Sequence, residues 1–203
     1  MSCKISSRGV EWKKSWEVWI MNYLIVVDMQ NDFVTGALGT AEAKAIIPYA
    51  ARRVMKALEK GEEIIFTRDT HSPNYLETQE GRNLPVPHCI WGTEGWEIVP
   101  QLNAYTVGRT PIDKHGFGSR YLGAVLKARD EDLKKQGQPG VERATFIGLC
   151  TDICVISNVL LVKSFLPEVE IVVDASCCAG VTPESHKNAL EAMKACQVII
   201  ENG

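Results

Sequence analysis

Short apolar runs rich in β-branched residues recur along the chain at Tyr23–Asp28, Glu63–Arg68, Thr145–Leu149, Glu170–Asp174 and Gln197–Ile200. Most are uninterruptedly apolar at their centres, the pattern of strands covered on both faces. Between them lie stretches with helical spacing, at about Ala41–Lys60, Arg120–Gln136, Asp152–Phe165 and Pro183–Ala195. The last carries its own start signal, Thr182 as N-cap with Pro183 at the first helical position. Strands alternating with helices imply right-handed crossovers and a mainly parallel sheet, so the fold class expected is a three-layer α/β/α sandwich. In such folds ligands bind in the crevice beyond the carboxyl ends of the strands, which directs attention to the residues just after each one.

Three of those places carry chemistry. The first strand, Leu24-Ile25-Val26-Val27, runs into Asp28, whose carboxylate is a candidate base, the alternative being a cap of the following turn. A strand-like piece, Thr110-Pro111-Ile112-Asp113, leads to Lys114. An ammonium reaching the crevice from there would keep a neighbouring carboxylate ionised. The run Gly148-Leu149-Cys150-Thr151-Asp152-Ile153-Cys154 sets Cys154 in the first turn of a helix after a buried strand. Helix amino termini lower a thiol's pKa and offer free N–H groups to an anion. Cys154 is therefore the candidate nucleophile, with the backbone N–H groups of Cys150 and Cys154 as an oxyanion hole. An inert buried thiol is the competing reading, and it suits Cys177, Cys178 and Cys196 better. The segment from Asp69 to Lys114 has no clear period and contains His71 and His88; long irregular loops in compact domains are usually functional.

Composition narrows the class. With 203 residues, 45% hydrophobic and 23% charged, the chain matches one globular domain, expected over residues 21–203, preceded by an extension of unassigned role over residues 1–20. A net charge of -3 without a Lys/Arg block argues against nucleic acid as a partner. The first twenty residues are broken by Lys13, Lys14 and Glu17, which argues against a signal-peptide core or a membrane span. Seven cysteines, an odd number without paired metal-knuckle spacing, suit a reducing compartment. A soluble cytoplasmic protein is expected, without membrane or nucleic-acid partners and assembled as a homo-oligomer.

The segments VVDMQNDF, DKHGFGS and GLCTDICV bring Asp28, Lys114 and Cys154 in that order along the chain. In these motifs and their order, over about residues 22 to 200, the chain resembles the isochorismatase-like cysteine hydrolases. The resemblance implies their hydrolase fold, with Asp28 as general base, Lys114 as its partner and Cys154 as nucleophile. It further implies a non-proline cis peptide at Leu149–Cys150. Cys150 stands where a small residue such as Ala is expected, a departure that leaves the oxyanion hole workable because only its N–H is used.

Asp69-Thr70-His71 and the later Pro87-His88-Cys89 resemble the metal-containing nicotinamidase subgroup. That likeness implies Asp69, His71 and His88 as ligands of one divalent transition ion, Zn²⁺ first and Mn²⁺ or Fe²⁺ next, a choice consistent with the donor set. A fourth ligand is expected from Glu80, otherwise from Glu77. Phe33 and Trp91 are candidate walls for a flat ring. The reaction implied is hydrolysis of nicotinamide to nicotinate and ammonia through a thioester, a step of NAD salvage. The alternatives are another small-amide or N-carbamoyl hydrolase of the same family, or a binding protein that kept the fold without catalysis.

Overall fold

The computed structural model describes residues 21–203; the expected extension over residues 1–20, and Cys3 within it, lies outside the described residues. One all-parallel sheet holds six strands in the order β3-β2-β1-β4-β5-β6. They are β1 (Met21–Val27), β2 (Glu63–Asp69), β3 (Ile112–Lys114), β4 (Val141–Leu149), β5 (Glu170–Ala179) and β6 (Ile199–Glu201). The helices are α1 (Asn31–Val34), α2 (Ala41–Glu59), α3 (Gln79–Asn83), α4 (Pro100–Asn103), α5 (Arg120–Lys135), α6 (Ile156–Phe165) and α7 (Pro183–Ala195).

The strand β1 shows why the chain forms three layers. Successive side chains of a strand point to opposite faces. Tyr23, Ile25 and Val27 join a core cluster with Leu122 and Leu126 of α5, Val159 and Val162 of α6 and Met193 of α7. Leu24 and Val26 join a second cluster with Ile46, Ile47, Ala50 and Val54 of α2 and Leu102 of α4. Helices therefore cover both faces, and the uninterrupted apolar run at Leu24–Val27 is the signature of that burial. Side-chain oxygens cap the long helices: Thr40, Ser119 and Thr182 accept from the N–H groups of Ala43 (3.0 Å), Leu122 (3.1 Å) and Ser185 (3.0 Å). Each cap satisfies a donor that the first turn leaves without a partner.

Boundaries differ from the sequence expectation where tertiary pairing outweighs local preference. β5 runs on from Asp174 to Ala179 through small residues, because Cys178 and Ala179 pair with Gly148 and Leu149. Gly148 itself has φ +121°, and a Cβ there would collide with the carbonyl of Val27 on the adjacent strand. The helix expected from Asp152 opens instead with a wide π-helical turn, Thr151–Val155, before α6 begins at Ile156; such turns are frequent at functional sites. The irregular segment after β2 is made of single turns at Tyr75–Glu77, Glu94–Trp96 and Ala104–Thr106 together with α3 and α4. Among the described residues no helix is long and apolar enough to cross a membrane.

Candidate active site

The carboxyl ends of β1, β2, β3 and β4 converge on one buried cluster. Asp28 follows β1 directly with φ +46°, a conformation that short polar side chains tolerate better than most. Its backbone N–H donates to the Thr67 carbonyl (3.2 Å) and the Thr67 hydroxyl donates to its Oδ1 (2.6 Å). Lys114, the last residue of β3, brings its Nζ to 2.7 Å from Asp28 Oδ2, 3.1 Å from Asp69 Oδ1 and 3.4 Å from Cys154 Sγ. The same ammonium donates to the Gly116 carbonyl (3.1 Å). All four side chains, Asp28, Asp69, Lys114 and Cys154, are buried. The structure thus gathers two of the residues expected from separate motifs, Asp28 and Cys154, around the third, the Lys114 cation. The peptide bond Leu149–Cys150 is cis.

Electrostatics in the cluster follow from burial. Loss of solvent pushes the Asp28 carboxyl above the ordinary carboxylate range, although the Lys114 charge opposes this. Lys114 is held well above the ordinary lysine value because its anionic neighbours outweigh the effect of burial. Burial also pushes the Cys154 thiol well up, and the Asp28 and Asp69 carboxylates push the same way against Lys114. This corrects the expectation from helix position: the local effect of a helix start is overcome by a dry site shared with two carboxylates. Burial thus favours the protonated form of Cys154. Acidity does not single it out, since burial raises Cys89 and Cys178 and pushes Cys177 up to about 11 and Cys150 up to about 12. Its distinction is the contact with the Lys114 ammonium, which also holds Asp28.

Beside this cluster, Asp69, His71, Glu80 and His88 turn one donor atom each toward a common point, all within 4.8 Å of one another. His71 Nε2 is 3.0 Å from Asp69 Oδ2 and 3.6 Å from Glu80 Oε1; His88 Nε2 is 3.6 and 3.9 Å from the same two atoms. Ligands about 2.0–2.1 Å from a tetrahedral ion stand about 3.3 Å apart, so the donor set fits a divalent transition ion. His88 Nδ1 donates to the Val86 carbonyl (2.8 Å), which fixes the tautomer that leaves Nε2 free to coordinate. Burial opposes the charge on Asp69, yet hydrogen bonds with His71 and His88 and the Lys114 cation hold its carboxyl well below the usual range. Glu80, near the start of α3, belongs to this group. Glu77 faces Asn74 and stands outside it.

A cavity of about 490 Å³ opens above the cluster, bordered by Phe33, Asp69, Glu80, His88, Phe117 and Cys154, and further along by Leu149, Cys150, Ile153 and Val181. Mostly apolar walls with a few convergent polar groups are the usual character of a small-molecule site. Phe33 borders the cavity and its ring meets that of His88 edge-on at 5.6 Å. Trp91 does not border it: the side chain is 68% exposed and packs toward Trp96.

Several supporting residues were not found from the sequence. Gln30, fully buried, accepts from the Asp69 N–H (2.7 Å) and donates to the Asp69 carbonyl (2.9 Å), fixing the backbone of that residue. Asn158 donates to the carbonyls of Cys154 (2.8 Å) and Phe117 (3.1 Å) and accepts from the Ser119 N–H (2.9 Å). It ties the turn that carries Cys154 to the segment after Lys114. The only sequence cue was that Gln30 lies inside the VVDMQNDF segment.

Comparison with known proteins bears on this arrangement. Residues 22–202 match the isochorismatase domain family. The nicotinamidase/pyrazinamidase of Mycobacterium tuberculosis is 29% identical over 193 residues, covering 88% of this chain and 97% of that protein. Among solved structures, the pyrazinamidase of Pyrococcus horikoshii in complex with zinc superposes with a TM-score of 0.68 at 30% identity, covering 88% of this chain and 97% of that one. The nicotinamidase of Bacillus subtilis superposes with a TM-score of 0.72 at 25% identity, covering 90% and 100% of the two chains.

Proposed function

The chain belongs to the isochorismatase domain family, and from that premise we propose that it is a cysteine-dependent amidohydrolase whose leading substrate is nicotinamide. The observation that carries the reading is the position of the Lys114 ammonium, in contact with Asp28, Asp69 and the Cys154 sulfur, the last two of which border a cavity. The relatives' names support amide hydrolysis.

In this reading Asp28 takes the proton of the Cys154 thiol, and the sulfur attacks the amide carbon. Backbone N–H groups of Cys150 and Cys154 receive the oxyanion, and the Lys114 charge stabilises the anionic cluster throughout. Asp28 returns the proton to the amide nitrogen as the C–N bond breaks and ammonia leaves, giving a thioester. Asp28 then removes a proton from water, whose oxygen attacks the thioester carbon; the acid departs and the proton returns to the sulfur. Asp69, His71, Glu80 and His88 would hold a divalent transition ion, Zn²⁺ in the first place, which when bound supplies an acceptor for a heteroaromatic nitrogen and so orients the ring. Phe33 forms an apolar wall beside it.

The test is ammonia release from a panel of amides, with and without chelator. Turnover of nicotinamide that chelation abolishes is the expected result. Release from N-carbamoyl compounds alone, untouched by chelation, would replace nicotinamide by the carbamoyl-amide alternative. No turnover of any amide by folded protein would sink the enzyme reading.

A further inference from the structure

The cavity is longer than a single-ring amide. Its border takes Asp69 from the end of β2, Leu149 and Cys150 from β4 onward, and Val181 from just beyond β5. With the strands in the order β2-β1-β4-β5, these points span three strand spacings, about 14 Å across the sheet. The metal-donor group occupies the β2 end and Cys154 follows β4, so a ring reaching from the sulfur toward those donors fills only the part between β2 and β4. Volume points the same way. A single-ring carboxamide, allotted for each non-hydrogen atom the roughly 30 Å³ that a water molecule takes in the liquid, fills at most about 270 Å³, against a cavity of about 490 Å³.

The part left over lies on the β5 side of Cys154. Of the residues that border the cavity, Val181 lies just beyond β5, Ile153 precedes Cys154, and Leu38 and Ala43 lie before and near the start of α2, which packs against β5; all four are apolar. The Asp152 carboxylate accepts from the Val181 N–H (3.1 Å), and the Thr151 hydroxyl pairs with His186 Nδ1 (2.8 Å). The first bond fastens the turn after β5, and the second the start of α7, to the turn that carries Cys154. The charged side chains bordering the cavity, Asp69 and Glu80, both belong to the donor group at the far end. An apolar substrate group would therefore gain by burial in this lobe, and an ionic one would find no counter-charge.

We propose that the amide this protein hydrolyses carries a second apolar group, aliphatic or aryl, that lies in the lobe between Cys154 and the turn after β5. The inference rests on the amidohydrolase reading and specifies its substrate class. The group is attached either to the amide nitrogen or to the acyl ring, and the two attachments differ in the product released.

The experiment compares kcat/KM for nicotinamide with that for N-benzylnicotinamide, followed by released benzylamine, and for a phenyl-substituted nicotinamide, followed by released ammonia. At least one extended amide should exceed nicotinamide by about tenfold or more, the lower end of what filling an apolar pocket gives. Val181→Trp, at a half-exposed position, should cut that ratio back toward one; Leu38→Trp is the second filler should the first disturb the turn. Nicotinamide turnover with both extended amides slower would overturn the proposal and leave the amidohydrolase reading standing. A preference that neither filler reduces would also overturn it, since the group would lie elsewhere. Failure of folded protein to cleave any amide would remove the reading and the proposal together.

Discussion

The Oδ1 atom of Asp69 lies 3.1 Å from the Lys114 ammonium, while Oδ2 of the same carboxylate faces the imidazoles of His71 and His88. One side chain thus belongs both to the donor group and to the ion cluster around Cys154. Burial makes these links strong, because little water remains to screen them. Gln30 holds the Asp69 backbone from both its N–H and its carbonyl, so neither role can be met by letting the carboxylate drift.

Lys114→Ala and Asp28→Asn should each lower kcat/KM by about 10²–10⁴, the range for removing a proton-transfer group or its partner. The double variant should lose little more than the worse single one, since the pair acts as a unit. Lys114→Ala should also lower stability by about 3–5 kcal/mol, because it leaves buried carboxylates without their cation. Steady-state kinetics and urea midpoints check both effects; near-native kcat/KM in either folded variant removes that residue from the mechanism.

The pH profile follows from the direction of the Asp28 shift. Asp28 must be ionised to take the thiol proton, and burial holds its carboxyl above the ordinary carboxylate range. Activity should therefore fall as pH drops through that raised value, giving an acid limb above the position of an ordinary Asp. Lys114 opposes the shift, so its removal should move the residual acid limb further up. A limb at or below the ordinary carboxylate value would show that Asp28 is not the base.

The strand centres, Asp28 and Cys154 were legible in the sequence because each is a local event, an apolar run and the residue that ends it. Lys114 was legible for the same reason, although β3 spans only three residues. The donor residues came from resemblance, and their assembly depends on α3 carrying Glu80 back over His71 and His88. What no local pattern encodes is the set of partners made by strand order. Thr67 reaches Asp28 across 39 positions and Asn158 reaches Ser119 across the same separation. The acidity of Cys154 failed for the same reason: helix position is local, whereas the two carboxylates beside the sulfur arrive from β1 and β2.

Gly148→Ala should be among the most damaging single-methyl additions in the sheet. The residue holds φ +121°, and its missing Cβ is what lets β4 lie against the Val27 carbonyl at the centre of the sheet. Backbone conformations of this kind disfavour L side chains, and the collision adds to that, for a loss of about 2 kcal/mol or more. A urea midpoint within error of the wild type would show that β1 and β4 can part there without loss.

The shared carboxylate of Asp69 decides which variant can separate metal binding from nucleophile chemistry. Asp69→Ala removes a candidate ligand, but it also frees Lys114 and removes a charge that keeps the Cys154 thiol protonated, so alkylation of Cys154 at a fixed alkaline pH should quicken. His88→Ala leaves the contacts of Lys114 in place, since the polar contacts of His88 are with Asp69 Oδ2, Glu80 and the Val86 carbonyl. It should abolish stoichiometric binding of Zn²⁺, Mn²⁺ or Fe²⁺ and cut nicotinamide hydrolysis by orders of magnitude. The rate at which iodoacetamide modifies Cys154 should change by at most about tenfold, the equivalent of one pKa unit. Elemental analysis, ammonia release and peptide mapping of the alkylated protein give the three readouts. A wild-type protein that holds no metal after growth with all three ions, and keeps full activity in chelator, would refute the metal site and leave the Cys154 cluster to account for hydrolysis alone.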